Sequence, residues 1–136
     1  MTTVPERLGL SLPALPENVL VARQAVTGFC EALAFPVAVI ENVRLAVTEA
    51  CANVVVHAYA KDAVEHLELD ATAVPGGVVV VVCDCGRGVG DEPGAGLGLP
   101  LIDALTDAYE LEALEAGGTR ITMRFRDDDA RIDASV

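Results

Sequence analysis

The chain has no tryptophan, and aromatic residues make up only 4% of its 136 positions. Its core must therefore be built from Val, Leu, Ile and Ala, within a composition that is 52% apolar. The valine content favours a sheet packed on helices, because β-branched side chains suit a pleated surface. Basic residues are also scarce: nine Lys and Arg stand against twenty-one Asp and Glu, a net charge of -12. That balance opposes broad attraction to nucleic acid or to an anionic membrane, and neither is expected as a partner. No apolar run approaches the roughly 18 residues needed to span a bilayer, because charges interrupt every long one.

Cysteines number four, Cys30, Cys51, Cys83 and Cys85, and fall in segments that read as helix or buried strand. Nothing at the N-terminus resembles a signal peptide, so a reduced, cytoplasmic protein is expected. Cys83-x-Cys85 has no second pair at zinc-ligand spacing, and no structural metal is expected there. There is no internal repeat and no linker. The length suits one domain, 1–136, with 127–136 expected as a frayed tail.

The stretch Ile40 to Tyr59 organises the rest. At 3.6 residues per turn it places Ile40, Val43, Val47, Ala50 and Val54 in one apolar stripe. Glu49, Asn53 and His57 lie four apart on another line, each about 6 Å from the next. A carboxylate and an amide so placed can share one ligand, although His57 reads better as a structural histidine. Before this helix, residues 6–12 read as a short strand ending at Pro13 and Pro16. Glu17 to Leu33 then reads as a helix with Val19, Leu20, Ala22, Val26, Phe29, Cys30 and Leu33 on its apolar stripe and Arg23 at the edge.

Two strands follow, Glu65 to Val74 and Gly77 to Asp84, joined by the hairpin signal Pro75-Gly76-Gly77. The first alternates as a strand with one wet face should. The second is the unbroken run Val78 to Cys83, the pattern of a strand covered on both faces, and it carries Asp84 to its end. A helix at Leu99 to Ala108 and strands at Tyr109 to Glu115 and Thr119 to Arg126 complete the order. This predicts an α+β fold, a two-layer α/β sandwich with a mixed, mostly antiparallel sheet and helices on one face.

Between Asp84 and the third helix lie two glycine clusters, Asp84-Cys-Gly-Arg-Gly-Val-Gly90 and Gly94-Ala-Gly-Leu-Gly-Leu-Pro100. Glycine at this density lets backbone approach a ligand closely. There is no G-x-x-x-x-G-K-[ST], and no G-x-G-x-x-G in a βαβ unit, so P-loop and Rossmann readings are rejected. A buried Asp84 needs a hydrogen-bond donor, for which an adenine amino group and a backbone N–H are both candidates.

Taken in order, Glu49-x3-Asn53, Asp84-x-Gly86-x-Gly88, Gly94-x-Gly96-Leu-Gly98 and Gly118-Thr119 resemble the four ATP-site boxes shared by histidine kinases, gyrases, heat-shock chaperones and mismatch-repair ATPases. More narrowly, Thr48-Glu-Ala-Cys-Ala-Asn-Val-Val-Val-His-Ala-Tyr59 is similar to the helix of the bacterial anti-sigma-factor serine kinases. The resemblance implies an ATP- and Mg²⁺-dependent kinase that phosphorylates a serine of an antagonist protein and sequesters a sigma factor. It implies Asn53 as magnesium ligand, Asp84 at the adenine amino group, Gly86 and Gly88 against the base, and Gly96, Leu97 and Gly98 around the phosphates. Thr119 would support Asp84, Glu49 would be general base, and Arg23 would lie at the partner-binding surface. A homodimer is implied by the resemblance alone.

Two features depart from that pattern. Only Val89 to Pro93 separates Gly88 from Gly94, where the family has a longer lid, and Ala95 stands where a basic residue often precedes the glycines. Both leave open a nucleotide-binding regulatory module that transfers no phosphate. A two-component histidine kinase is disfavoured, because no helical hairpin bears a phospho-accepting histidine.

Overall fold

A computed structural model describes residues 6–60, 65–84, 99–115 and 118–127. The chain runs β1 (Arg7–Pro13), α1 (Pro16–Ala32), α2 (Val37–Ala60), β2 (His66–Val74), β3 (Gly77–Asp84), α3 (Leu99–Leu105), β4 (Ala108–Ala113) and β5 (Thr119–Arg126). The five strands form one sheet in the order β1-β2-β3-β5-β4, and every described pair is antiparallel. The helices pack on a single face of it, as the alternation of β2 requires.

Local chemistry sets the ends of these elements. Pro16 opens α1, where its missing N–H costs nothing, and the Asn18 side chain donates to the Pro13 carbonyl at 2.7 Å. The helix closes in a Schellman arrangement: Phe35 N–H reaches the Cys30 carbonyl at 3.2 Å and Ala34 N–H reaches Glu31 at 2.9 Å. Ala34 pays for that closure with φ of +60°, where glycine is the usual occupant. The β2–β3 hairpin turns on Pro75-Gly76, with Val74 opposite Gly77 and φ of +81° at Gly76, which a type II turn demands after proline.

The core sits between sheet and helices. Val43, Val47, Ala50 and Val54 of α2 are buried against Ala22, Val26 and Phe29 of α1 and against Val78, Val80 and Val82 of β3. Ile40, placed on the same stripe, is half-buried. Leu20, also expected on the α1 stripe, is 44% exposed, because two residues before Ala22 is nearly the opposite side of the helix.

α2 starts at Val37, just beyond the break expected at Ala34-Phe35-Pro36, and Ile40 N–H bonds the Pro36 carbonyl at 3.0 Å. Other boundaries move. α3 ends at Leu105 rather than Ala108, because Asp107 N–H joins the Arg124 carbonyl at 2.9 Å and so enters the sheet. β4 correspondingly spans Ala108–Ala113 instead of 109–115. The largest correction concerns β3. Its inner side is buried, but Val79, Val81 and Cys83 on its outer side are only half-buried, because no helix among the described residues covers that face. The expected tail from 128 onward lies outside the described residues.

Candidate nucleotide site

The helix α2 carries the first part of the site. Its buried stripe presses on the sheet, and Glu49 and Asn53 sit on the flank of that stripe, both half-buried. They are one turn apart, about 6 Å along the axis. Asn53 Nδ2 is buried and has no hydrogen-bond partner among the described residues. An unpaired buried amide is costly, so its neighbourhood suits a polar ligand. Turned over, the same amide points its oxygen into the same space. A hard cation such as Mg²⁺ takes a few oxygen ligands from protein and keeps its waters, so a carboxamide with a carboxylate one turn away fits it.

The second part comes from the sheet. Asp84 ends β3 on the inner face and is 4% exposed. Its partner across the β3–β5 ladder is Thr119, half-buried on the same face. Side chains directly opposite in an antiparallel pair lie about 5 Å apart at Cβ, so hydroxyl and carboxylate are neighbours. α2 packs on both β3 and β5, and Asp84 and Thr119 point to the sheet face that α2 covers. Gly86, Gly88, Gly96, Leu97 and Gly98 lie outside the described residues, as do the short lid, Cys85 and the side chain of His57.

Arg23 sits on α1, half-buried at the edge of the apolar stripe, and its carbonyl accepts from Thr27 Oγ1 at 2.7 Å. Burial holds two thiols in the protonated form, pushing Cys30 up to about 11 and Cys51 up to about 12, so neither is a nucleophile. Burial also raises Cys83. Two residues not singled out from the sequence close α3: Thr106 bonds back into its last turn, and Asp107 fastens its end to β5. Thr106 Oγ1 donates to the Ile102 carbonyl at 2.9 Å, and Asp107 accepts the Arg126 N–H at 2.7 Å. Threonine at the end of an apolar helical run, where such hydroxyls bond back to the preceding turn, was the available signal.

A helical layer over one face of a five-stranded antiparallel sheet is consistent with the α+β fold of the histidine kinase-like ATPase domain. The profile of the histidine kinase-like ATPase domain matches residues 12–125, and the chain belongs to that family. Among curated proteins it is 31% identical over 153 aligned positions to the serine-protein kinase RsbW of Halalkalibacterium halodurans, covering 95% of this chain and 91% of that one. It is 30% identical to RsbW of Bacillus cereus over 78% of this chain and 77% of the relative. An anti-sigma F factor of Clostridium botulinum is 24% identical over 87% and 92%. Among solved structures, the RsbU and RsbW domains of a Mycobacterium tuberculosis protein superpose with a TM-score of 0.70 at 25% identity, covering 90% of this chain and 32% of that one. Among the described residues no helix is long and apolar enough to cross a membrane.

Proposed function

We propose that this protein is an ATP-dependent serine-protein kinase of the anti-sigma-factor type, acting in the cytoplasm on a serine of an antagonist protein and, in its other state, holding a sigma factor. One observation carries the reading: the buried amide of Asn53, unpartnered among the described residues, one helical turn after the half-buried carboxylate of Glu49. The kinase names of relatives that align along most of the chain support it.

In this reading Asp84 accepts from the adenine amino group, and Thr119 orients that carboxylate from the adjacent strand. Gly86 and Gly88 let the base lie against backbone, while Gly96, Leu97 and Gly98 enclose the phosphates. Asn53 holds Mg²⁺, which supplies charge neutralisation at the phosphate oxygens. Glu49 takes the proton of the serine hydroxyl as that oxygen bonds the γ-phosphorus and the bond to the β-phosphate oxygen breaks, releasing ADP. Arg23 belongs to the surface that meets the protein partner.

Calorimetric titration with ATP, with and without Mg²⁺, tests the site. Wild-type binding should depend on the metal. Asn53→Ala should lose that dependence, and Asp84→Asn should lose adenine affinity. The expected sequel is phosphotransfer to the antagonist that Glu49→Ala abolishes; undiminished transfer by that variant would remove Glu49 from the role of base. The short Val89 to Pro93 interval favours, as the second reading, a nucleotide-holding regulatory module. Phosphoserine on a co-purified partner would exclude it.

A further inference from the structure

Two carboxylates are buried among the described residues, Glu65 and Asp84, each 4% exposed, and the sheet brings both to one corner. Leu67 stands opposite Asp84 in the β2–β3 ladder, and Glu65 lies two positions before Leu67. The pairing of β1 with β2 runs one step past Pro13 and His66, since Ala14 N–H reaches the Glu65 carbonyl at 2.8 Å. The alternation of β2 therefore still holds at Glu65. His66 and Glu68 face outward and are exposed, while Glu65 shares the buried inner face with Leu67 and Leu69. Glu65 and Asp84 are thus diagonal neighbours, about 7–8 Å apart at the backbone and close enough for both side chains to reach one group.

The next inner positions of β2, Leu67, Leu69 and Ala71, are all apolar, and its other carboxylates, Glu68 and Asp70, lie on the outer face, Asp70 bound to Arg7. Two carboxylates buried side by side raise the cost of each, and a donor shared between them offsets it. An amine with two hydrogens is such a donor. Its N–H bonds diverge by about 120°, so acceptors about 2.9 Å from the nitrogen lie about 5 Å apart, a spacing that Asp and Glu side chains span from these two positions. We infer that Glu65 is a specificity-determining residue of the base pocket, accepting the second hydrogen of the purine amine whose first goes to Asp84. This rests on the ATP reading above, which puts Asp84 at that amine. The pair selects an unsubstituted 6-aminopurine. A 6-oxopurine would set its oxygen between two carboxylates, and an N6-methyl group would replace the hydrogen that Glu65 reads.

Calorimetric titration of the full chain with ATP, N6-methyl-ATP and GTP, each with Mg²⁺, tests the assignment. The wild type should bind N6-methyl-ATP at least about 10-fold more weakly than ATP, the loss expected when a charged acceptor is left without its donor. Glu65→Ala should bind ATP more weakly and take N6-methyl-ATP nearly as well as ATP, because the methyl group enters the space the side chain leaves. GTP should gain on ATP in the same variant. If Glu65→Ala does not fold, the wild type's own ratio still decides: equal affinity for ATP and N6-methyl-ATP overturns the inference. A folded Glu65→Ala that keeps the wild-type ratio overturns it too. In both cases ATP binding that is lost in Asp84→Asn leaves the ATP reading standing, whereas a wild type that binds no ATP overturns that reading and this inference with it.

Discussion

Removing the Asn53 amide should strengthen the free protein while disabling it. Nδ2 is buried with no hydrogen-bond partner among the described residues, so folding strips it of water without compensation. Relief of such a group is worth about 1–3 kcal/mol, and Ala exceeds Asn in helix propensity by about 0.5 kcal/mol. Against this stands the packing of one half-buried, mostly polar side chain. The expected net for Asn53→Ala without ligand is a gain of about 1 kcal/mol, which raises Tm by about 3–5 °C in a domain of this size. With Mg-ATP the order should reverse. At a ligand concentration about 100 times Kd, binding stabilises the wild type by about 2.7 kcal/mol, and the variant should forgo this. Thermal melts of both proteins, with and without Mg-ATP, read all four states. Loss of more than about 1 kcal/mol in the free variant would mean that the amide is structurally engaged. An undiminished Mg-ATP shift would remove Asn53 from the site.

Other perturbations probe the scaffold. Gly77→Ala should cost about 2–3 kcal/mol by urea denaturation, because its Cβ would collide with the Phe125 carbonyl oxygen and come within 3.1 Å of Arg126 Cα, both backbone atoms of the paired strand. Ala34→Gly should stabilise by up to about 1 kcal/mol, since the residue sits at φ of +60° where a Cβ is strained. Cys30 and Cys51 should resist thiol reagents in the native protein at pH 8 and react on unfolding, as burial places them near about 11 and about 12. Rapid native labelling of both would contradict the core packing. Hydrogen bonds from Arg7 and Arg120 hold Asp70 and Glu112 below their usual values. A carboxylate depressed on folding adds stability above its unfolded value, near about 4, and loses it as pH falls through its folded value. Denaturation midpoints should therefore fall more steeply below about pH 4 in the wild type than in Arg7→Met, Arg120→Met.

What was legible in the chain follows the range of the interaction that determines it. Glu49 and Asn53 could be put on one helix line from spacing alone, because the helical period is local and the stripe of Val43, Val47, Ala50 and Val54 anchors it. The β2–β3 hairpin was legible for the same reason: Pro75-Gly76 sets both turn and register. The pairing of Asp84 with Thr119 was not derivable, because β3 and β5 are joined only through α3 and β4, and thirty-five positions separate the two residues. Family resemblance, not periodicity, put them together. The end of α3 was missed because the tertiary bonds of Asp107 to Arg124 and Arg126 outweigh a continuing apolar pattern.

Leu20 and the outer valines mark two different failures. Leu20 was assigned to a stripe by counting apolar residues, although its angular position puts it in solvent, and a stricter use of the 100° step would have excluded it. Val79, Val81 and Cys83 were expected to be covered on both faces because the run Val78 to Cys83 is unbroken, but among the described residues no layer lies over their outer side. Leaving two valines and a cysteine half-exposed wastes hydrophobic stabilisation of roughly 1 kcal/mol each, set against covering them fully. The inner valines of β3, by contrast, are fully used, since they hold the helix that carries Glu49 and Asn53 against the sheet.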